Sequence, residues 1–519
     1  MTLLHHWLSA NARSTADATA VIEPKAAITY GQLDRLANRV ANALLAAGVG
    51  RGDRVVLALD NSIPFIAAYF GILKAGAVVV PLPPGAKSDR LQPALAGCEP
   101  AACIVDGATF DAIDKATSFQ GMRVATVLDH PGPSRASAPA VASLTAILEG
   151  EVSDSEPLVQ TSEMDLAAII YTSGSTGAPR GVMLSHLNFV SNARSIVQYL
   201  ELTRADRAMV VLPFYYVYGL SLLHTHVAVG GSLVLDNRFA FPNVVLRAIE
   251  EHAATGFAGV PSTFAMLLHR SNLAESDLSS LRYVTQAGGP MPPALLQKWL
   301  EIVPDVPFFV MYGATEAAAR LSYLQPSELR RRLGSIGRAI PGVELRVLTD
   351  DGREASAGEA GEIVARGPNI SSGYWNCPEE TCERFGPDGF RTGDLGYADT
   401  DGYLYVVGRR HDMIKVGAHR VAAKEIEDVL HEHPAIHEAA VVGELHPLLG
   451  ESPVAHIAVR DGVRLDSAEV IASCRARLPE HKVPTRVVFH AELPKTFSGK
   501  IAKDALRRGP VSSISPGGL

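Results

Sequence analysis

The sequence predicts an α/β protein with a large N-terminal domain of doubly wound sheets plus a small β-barrel-like unit, followed by a small α+β C-terminal domain. Three observations support this fold class. Short apolar runs alternate with helical stretches in the N-terminal part, short strands with Gly-containing turns follow about Gly334, and a more charged region follows Gly408. The length of 519 residues exceeds what one hydrophobic core supports, which favours several domains.

The N-terminal part has the alternation that is typical of parallel strands joined by crossover helices. The apolar runs RVVLALD, AVVVPL, AACIVD and RVATVLD begin at Arg54, Ala77, Ala101 and Arg123. The helical stretch YGQLDRLANRVANALLAAG begins at Tyr30. Because consecutive parallel strands need a crossover between them, this order predicts a doubly wound body.

The stretch between Arg207 and Asp236 contains no residue that is fully charged at neutral pH. Proline, glycine, histidine and tyrosine residues interrupt it, so we predict a buried strand, a helix and a second strand, and no transmembrane segment. The N-terminus lacks a basic start followed by an apolar core and a small-residue cleavage site, and we predict no secretion signal.

The C-terminal part contains two kinds of sequence pattern. The short runs GVELRVL, GEIVARG and GYLYVVG predict the small antiparallel or barrel-like unit. The helical patterns AAKEIEDVLHEH and SAEVIASCRARL and the strand EAAVVGE between them predict the terminal α+β domain. We therefore predict an N-terminal domain over 1–408, a C-terminal domain over 412–507, and a disordered Gly/Pro/Ser tail over 508–519.

Composition limits the classes of partner. The 47 basic and 55 acidic residues give a net charge of -8, which offers no general electrostatic footprint for nucleic acid, so we expect small-molecule partners. Five cysteines are too sparse for a disulfide framework, which favours a reducing cytoplasm. We interpret the pairs Cys98/Cys103 and Cys377/Cys382 as buried or loop thiols, because their spacing is wider than that of CxxC metal ligands. The sequence does not indicate an oligomeric state.

Histidines also form two groups in the sequence. His224 and His226 lie within the apolar stretch, and His431, His433 and His437 surround a predicted helix end. Neither group has the cysteine or carboxylate partners of a metal site with a recognisable spacing. We interpret these side chains as core or surface histidines.

The run AAIIYTSGSTGAPRG places a buried strand directly before a loop of small, hydroxyl-bearing residues that begins after Tyr171. Glycine lets a backbone approach phosphate closely, and the hydroxyl groups of such a loop donate hydrogen bonds to it. The Gly-Lys-Ser/Thr ending of a Walker loop is missing. By itself the run predicts a phosphate-binding loop, with a flexible Ser/Gly linker as the alternative.

This loop resembles the signature phosphate loop of the adenylate-forming superfamily, which comprises acyl- and aryl-CoA synthetases, luciferases and peptide-synthetase adenylation domains. The resemblance runs in the family's order from about Thr29 to Lys500 and is nearest to stand-alone acyl-CoA or acyl-carrier-protein ligases. It implies that ATP phosphates contact Thr172, Ser173, Gly174, Ser175, Thr176, Gly177 and Arg180. At Arg180 the family motif normally has a lysine, so the charge is kept while a guanidinium fork replaces a point charge.

The resemblance also implies the other nucleotide contacts. In MYGATEA, Tyr312 would stack on adenine, Thr315 would contact the α-phosphate and Glu316 would hold Mg²⁺, for which a hard carboxylate oxygen is suited. In QAGGPMPP, Gly288 and Gly289 would line the adenine and acyl pocket. Further along the chain, the ribose hydroxyls would bind Asp394 of FRTGDLG and Arg409 of GRRHD.

In the motif LPKTFSGKIAKDAL, Lys500 would be the catalytic lysine, which bridges the substrate carboxylate and the α-phosphate as negative charge accumulates. The likeness places the acid pocket at Tyr216, Gly219, Gly288 and Gly313, the hinge of a mobile C-terminal domain at His411, and a thiol tunnel at Gly417. Many relatives have Asp or Lys at the hinge position. The segment LPFYYVYGLSLL lacks the aspartate that pairs with an α-amine, which argues against an ordinary amino acid as substrate.

The implied activity is that of an ATP-dependent carboxylate-activating ligase. It would form an acyl-AMP and pyrophosphate with ATP and Mg²⁺, and would then transfer the acyl group to the thiol of coenzyme A or of phosphopantetheine on an acyl or peptidyl carrier protein. The alternatives are a stand-alone amino-acid-adenylating enzyme, a luciferase-like oxidation, and a non-catalytic nucleotide-binding relative. The identity of the acid and the choice of acceptor stay open at this stage.

Overall fold

The computed structural model describes residues 2–117, 119, 121–128, 140–173, 179–417, 419–460, 462–494 and 501–507, with the backbone alone at Thr117, Glu151 and Ser173. Two compact units are present. Unit 1 contains the described residues of Met1–Thr172, Pro179–Leu345 and Ala365–Phe390. Unit 2 contains the described residues of Ser173–Ala178, Arg346–Val364 and the described residues of Arg391–Leu519. The compact units thus group residues 346–364 with the C-terminal part, whereas the domain boundary after residue 408 stays a prediction.

The helices alternate with the strands through most of the chain. Their bounds are α1 Leu4–Ser14, α2 Tyr30–Ala46, α3 Ile63–Lys74, α4 Ser88–Cys98, α5 Gly107–Thr117, α6 Leu144–Ala146, α7 His186–Leu200, α8 Val217–Val229, α9 Pro242–His252, α10 Pro261–Arg270, α11 Pro293–Ile302, α12 Pro378–Arg384, α13 Ala423–His431, α14 Ser467–Arg475 and α15 Lys503–Arg507.

The strands as far as Ala339 belong to unit 1, apart from the last residue of β8. Their bounds are β1 Thr19–Glu23, β2 Ala26–Thr29, β3 Arg54–Ala58, β4 Val78–Pro81, β5 Ala102–Val105, β6 Val124–Val127, β7 Ala140–Ser143, β8 Leu166–Ser173, β9 Pro179–Ser185, β10 Arg207–Val210, β11 Ser232–Leu235, β12 Gly256–Gly259, β13 Tyr283–Gln286, β14 Phe308–Tyr312, β15 Ser322–Leu324 and β16 Ser335–Ala339.

Ten further strands follow β16 in the described parts of the chain. Their bounds are β17 Glu344–Leu348, β18 Gly361–Arg366, β19 Phe385–Gly386, β20 Gly389–Ala398, β21 Leu404–Arg409, β22 Met413–Val416, β23 His419–Ala422, β24 Ile436–His446, β25 Gly450–Val459 and β26 Arg486–His490.

Unit 1 is built on two sheets. One has the strand order β7-β6-β5-β3-β4-β8-β9, and its pairs from β6 to β4 are parallel. In the other, the strands of unit 1 follow the order β2-β1-β11-β10-β12-β13-β14-β15-β16, with β11, β10, β12, β13 and β14 parallel. Helices of the intervening segments bury their apolar faces on these sheets, which confirms the predicted doubly wound body.

Local sequence explains where the elements begin. The helix α2 begins after Thr29, whose hydroxyl accepts a hydrogen bond from the Gln32 backbone, while the Gln32 side chain accepts one from the Thr29 backbone. The helix α8 ends at Val229 and is capped by Gly230, which has a left-handed φ of 72°. The uncharged stretch after Arg207 forms the strand β10, the helix α8 and the strand β11, as predicted. In the described parts of the chain, no helix has the length and apolar character needed to cross a bilayer.

Unit 2 contains the predicted antiparallel strands and the terminal α+β fold. The strand β20 pairs antiparallel with β21, and the terminal sheet has the order β23-β22-β25-β24 with β26 parallel to β25. The helices α13 and α14 cover this sheet through buried residues such as Ile426, Val470 and Cys474. The predicted tail over 508–519 lies outside the described residues and stays a prediction.

Candidate functional site

Parallel strands in unit 1 bring the predicted nucleotide and acid contacts to one sheet edge. The strands β12, β13 and β14 are parallel neighbours, so their carboxyl ends lie side by side. The turn with Gly288 and Gly289 follows β13, and Tyr312 is the last residue of β14. The carboxyl edge of a parallel sheet is where α/β proteins bind ligands. The buried Gln286 amide donates to the Gly289 carbonyl at 2.8 Å and fixes the turn.

Glu316 is held by a contact that the sequence did not indicate. Thr315 and Glu316 begin a single 3₁₀ turn over Thr315–Ala317, immediately beyond β14. The hydroxyl of Tyr374 donates a hydrogen bond of 2.7 Å to Oε1 of Glu316. Burial raises the pKa of Tyr374, and Glu316 raises it further, so the phenol keeps the proton that it donates. This bond orients the carboxylate that the family resemblance predicts to hold Mg²⁺.

Arg180 contacts the ring of the same tyrosine. Its guanidinium carbon is 5.7 Å from the centre of the Tyr374 ring, within the range of a cation–π contact. Its Nε is 3.9 Å from Oε1 of Glu380, and this buried nitrogen has no hydrogen-bond partner among the described residues. Arg180 therefore has an N–H group available for a ligand. Nothing in the local sequence pattern marked Tyr374 or Glu380 as neighbours of these residues.

The predicted pocket glycines are required by backbone packing. A Cβ on Gly219 would overlap the carbonyl oxygen of Pro213, and one on Gly313 would overlap that of Ala319. Gly288 has a left-handed φ of 83°, which a side chain would strain. Backbone packing or conformation therefore requires glycine at these positions, whether or not a ligand binds beside them.

Tyrosines surround the beginning of α8. Tyr216 is the residue before the helix, and its ring centre lies 4.5 Å from that of Tyr215. Burial and the neighbouring Tyr215 raise the pKa of Tyr216, so its hydroxyl is neutral at ordinary pH. Tyr218 is buried, and its hydroxyl lies 3.0 Å from both the carbonyl oxygen and Oγ1 of Thr285 on β13. Tyr218 thus links the predicted acid pocket to the central strand.

In unit 2, the structure brings Asp394 and Arg409 together. They are opposite each other on the antiparallel strands β20 and β21, and Arg409 Nε is 3.1 Å from Asp394 Oδ1. The Asp394 side chain is 10% exposed and that of Arg409 is 55% exposed. Thr392 donates to the Ile363 carbonyl at 2.7 Å and accepts from the Asp394 backbone, which fixes this end of β20. The pair therefore presents a carboxylate and a guanidinium side by side.

The predicted hinge residue His411 lies in a 3₁₀ turn over Arg410–Asp412. Next to it, Asp412 forms ion pairs with Arg507 at 2.7 Å and with Lys503 at 3.7 Å. Burial raises the pKa of Asp412, but Lys503, His411 and Arg507 outweigh it and hold the pKa below its usual value. The predicted tunnel residue Gly417 is exposed and has a left-handed φ of 58°, and a Cβ added to it would meet no described atom within 4 Å.

The histidines of the apolar stretch are hydrogen-bonded core residues. His224 Nε2 lies 2.7 Å from the Tyr69 hydroxyl, and burial lowers the pKa of His224 to about 3. His226 contacts the Leu222 carbonyl through Nδ1 at 2.9 Å and the Tyr283 hydroxyl through Nε2 at 3.3 Å. Within the described ranges, no group of three or more His, Cys, Asp or Glu side chains has the arrangement of a metal site.

Several predicted contacts lie outside the described residues. They are Gly174, Ser175, Thr176, Gly177, the side chain of Ser173, and Lys500. Thr172 is described and lies near the end of β8, directly before this loop. Their assignments to ATP phosphates and to the transition state stay predictions.

Comparisons with known proteins agree with the class of site. The family model described as AMP-binding enzyme matches residues 8–375, and the model described as AMP-binding enzyme C-terminal domain matches residues 425–500. An indoleacetate–CoA ligase from Aromatoleum aromaticum is 33% identical over 508 residues, covering 97% of this chain and 98% of that protein. A feruloyl-CoA synthase from Amycolatopsis sp is 34% identical over 511 residues, with the same coverage of both chains.

Solved structures give the same result. The anthranilate CoA ligase AuaEII in complex with anthranoyl-AMP superposes with a TM-score of 0.88 at 28% identity, covering 98% of this chain and 97% of that one. Fold and site together define an ATP-dependent, AMP-forming ligase that activates a carboxylic acid. The chain belongs to the AMP-binding enzyme family, within the adenylate-forming superfamily.

Proposed function

We propose that this chain activates a small carboxylic acid as its adenylate, with Mg²⁺ bound at Glu316, and transfers the acyl group to coenzyme A. The observation that carries this proposal is the contact of Tyr374 with both Arg180 and Glu316 in unit 1. It presents a guanidinium and a carboxylate, with a neutral tyrosine that contacts both, where the family binds ATP phosphates.

In the first step, a carboxylate oxygen of the acid attacks the α-phosphorus of ATP, and the bond to pyrophosphate breaks. The residues of this chain contribute position and charge rather than covalent chemistry. The buried Nε of Arg180 supplies a donor for a phosphate oxygen. Thr315 would donate to the α-phosphate, and Tyr312 at the end of β14 would stack on adenine. Lys500 would stabilise the charge that develops between the two reactants.

Glu316 is chemically suited to Mg²⁺. Its carboxylate provides hard oxygen ligands, and the Tyr374 hydrogen bond orients one oxygen, while the other has no hydrogen-bond partner among the described residues. When bound, the ion would neutralise charge on the leaving pyrophosphate. Asp394 and Arg409 would bind the ribose hydroxyls, the carboxylate by accepting and the guanidinium by donating.

In the second step, a thiol sulfur attacks the carbonyl carbon of the adenylate and AMP leaves. We propose coenzyme A as the acceptor because the indoleacetate and feruloyl relatives are CoA-dependent by name and match over nearly the whole chain. Phosphopantetheine on a carrier protein is the alternative acceptor. In either case the thiol would approach the adenylate past Gly417, and His411 would be the hinge of the C-terminal domain between adenylation and acyl transfer. The five free cysteines, three of them buried, support a reducing compartment such as the cytoplasm.

The test measures pyrophosphate release from ATP with a broad panel of carboxylic acids, first without a thiol and then with coenzyme A or a holo carrier protein. We expect acid-dependent release, and AMP turnover that accelerates with coenzyme A. Replacing Lys500 by Ala should lower acid-dependent release by about 100-fold or more, while ATP binding persists. The exposed Lys298 on α11 is the matched control for loss of one lysine.

Two outcomes would contradict the proposal. ATP binding without release for any acid would indicate a non-catalytic nucleotide-binding protein. Release with α-amino acids alone would indicate an amino-acid-adenylating enzyme. Full first-step activity in the Lys500→Ala variant would contradict the lysine assignment while leaving the ligase activity in place.

A further inference from the structure

A carboxylate of the chain itself lies beside Arg180. Glu380 belongs to α12, and its Oε1 is 3.9 Å from the Nε of Arg180. This distance is too long for a hydrogen bond, so the contact is an attraction between charges alone. The Arg180 side chain is 13% exposed and that of Glu380 is 34% exposed, which shields the pair partly from water. The chain thus supplies a counter-charge for Arg180 without satisfying its Nε.

The main chain supports the position of Glu380 beside Arg180. Arg180 is the second residue of β9, and the carbonyl oxygen of the residue after it accepts a hydrogen bond of 2.7 Å from the Trp375 backbone. Thr381, which follows Glu380, accepts a hydrogen bond of 3.0 Å from the Tyr374 backbone through Oγ1. Because Tyr374 and Trp375 are consecutive, these two bonds connect β9 and α12 through one short segment of the chain.

Other arginine–carboxylate pairs of unit 1 are closer than this one. Arg51 donates to both carboxylate oxygens of Asp165 at 2.8 Å each, and the Nε of Arg332 lies 2.8 Å from Oε2 of Glu328. In contrast, the buried Nε of Arg180 has no hydrogen-bond partner in the described part of the chain. A buried N–H without an acceptor costs free energy, so this position favours a ligand that accepts a hydrogen bond.

A phosphate oxygen meets both requirements of Arg180. It carries negative charge, and it accepts a hydrogen bond from a guanidinium at about 2.7–2.9 Å, which makes such contacts stronger than an ion pair without a hydrogen bond. Glu380 at its observed distance provides the charge alone. Two anions beside one guanidinium repel each other. Glu380 therefore opposes the binding of the ligand that the Nε of Arg180 favours.

The neighbours of Arg180 relate it to particular phosphates of ATP. Tyr374 contacts Arg180 through its ring and Glu316 through its hydroxyl, at 2.7 Å. In the proposed function, Glu316 holds the Mg²⁺ that neutralises the leaving pyrophosphate, whereas Thr315 donates to the α-phosphate. Because Arg180 shares Tyr374 with Glu316, it is matched to the β- and γ-phosphates, which leave together as pyrophosphate.

We propose that Glu380 is a resident counter-ion of Arg180 that the β- and γ-phosphates of ATP replace, so that Glu380 weakens the binding of ATP and of pyrophosphate. This inference rests on the proposed function, because it assumes that ATP phosphates reach Arg180. In the ligand-free protein the carboxylate offsets the charge of the guanidinium. After adenylation it favours the departure of pyrophosphate, since its attraction to Arg180 is restored. Glu380 acts through Arg180 and is a positioning residue, which changes affinity and not the rate of the chemical step.

The test measures equilibrium binding by calorimetry in the absence of any acid. Mg²⁺–ATP, Mg²⁺–pyrophosphate and AMP are each titrated into the wild type and the Glu380→Gln variant. The Kd values for ATP and pyrophosphate should fall by about 2- to 5-fold in the variant, the range expected for loss of one partly exposed ion pair. The Kd for AMP should stay unchanged, because AMP lacks the β- and γ-phosphates. The single-turnover rate of adenylation at saturating ATP should also be unchanged.

Matched variants separate this exchange from a general effect of charge. Glu383→Gln removes an exposed carboxylate from the same helix and should leave all three Kd values unchanged. Glu380→Asp keeps the charge and should lie closer to the wild type than Glu380→Gln does. In an Arg180→Met background, Glu380→Gln should have little further effect on the Kd for ATP. The comparison of the wild type with Glu380→Gln decides the question even where Arg180→Met binds ATP too weakly to measure, and melting temperatures show that each variant is folded.

The outcomes distinguish this inference from the function that it rests on. An unchanged or higher Kd for ATP in Glu380→Gln would overturn the role of Glu380 and leave the ligase activity intact. An equal change in the Kd for AMP would overturn it as well, because that result indicates a general change of the nucleotide site. Absence of acid-dependent pyrophosphate release would instead contradict the proposed function, while the binding comparison would still decide whether Glu380 opposes polyphosphate at Arg180.

Discussion

The sites in the two units hold their charged groups in different ways. In unit 1, Tyr374 contacts both charged groups, with its ring 5.7 Å from the Arg180 guanidinium carbon and its hydroxyl bonded to Glu316 at 2.7 Å. In unit 2, Asp394 and Arg409 pair directly at 3.1 Å across neighbouring strands. In unit 1 the Arg180 Nε has no hydrogen-bond partner among the described residues and its nearest carboxylate oxygen, of Glu380, is 3.9 Å away, whereas a ligand at the pair in unit 2 shares a carboxylate that its counter-charge already contacts at 3.1 Å.

Because of this difference, we expect the two sites to contribute to catalysis in different ways. Charges that are kept apart until a polyphosphate arrives stabilise the transition state as its charge develops, and therefore affect kcat. A pre-formed ion pair that accepts and donates hydrogen bonds to a sugar acts similarly in the ground state and the transition state, and therefore affects KM. Substitutions in the two regions test this division.

The largest effect is expected for Glu316→Gln. The amide oxygen still accepts the Tyr374 hydrogen bond, so the change removes the charge while keeping the geometry. We expect kcat for pyrophosphate release to fall by about 100-fold or more, with partial recovery at high magnesium concentration. Steady-state pyrophosphate assays over a magnesium titration measure this effect. Glu301→Gln, at an exposed position near the end of α11, is the control; an unchanged kcat for Glu316→Gln would contradict the metal assignment.

A smaller effect of a different kind is expected for Asp394→Asn. The substitution removes the ion pair with Arg409 and one charged acceptor for the ribose, and a hydrogen bond to a charged group is worth about 1.5–3 kcal/mol. We therefore expect KM for ATP to rise by about 10- to 100-fold with kcat nearly unchanged. Initial rates over an ATP titration distinguish the two parameters. The exposed Asp401→Asn variant in the following turn should behave like the wild type.

A fall in kcat alone for Asp394→Asn would contradict this division, because it would give the pair in unit 2 a role in the chemical step. The same ATP titration applied to Glu316→Gln is a second check, since the two substitutions should affect separate kinetic parameters.

The two regions also differ in how far the sequence predicted them. Asp394 and Arg409 stand in motifs that lie close together along the chain, and antiparallel pairing of adjacent strands places them opposite each other. The alternation of apolar runs likewise predicted the sheets and α2, because periodic burial is a local property of the sequence.

The contacts in the interior of unit 1 could not be predicted from the sequence. Tyr374 and Glu316 are separated by 58 positions, and neither spacing nor residue type indicates that they meet. Arg320 belongs to an ordinary segment in the sequence, and nothing in the local pattern indicates that it is buried. The pocket glycines were predicted at positions that the structure explains through backbone contacts. Tertiary packing determines all of these features.

The smallest effect is expected for Tyr374→Phe, which tests whether this tyrosine itself matters. The ring against Arg180 is kept, and only the hydrogen bond to Glu316 is lost. Because Glu316 keeps its charge and both oxygens in this variant, we expect less than the about 1.5–3 kcal/mol that a hydrogen bond to a charged group contributes, so kcat should fall by roughly 5- to 20-fold with little change in KM for ATP. Tyr397→Phe, whose ring stacks on Tyr405 with centres 5.0 Å apart, is the control for removal of a phenol hydroxyl in unit 2. If Tyr374→Phe raised KM and left kcat unchanged, unit 1 would behave like the pair in unit 2, and Tyr374 would have no separate role in the chemical step.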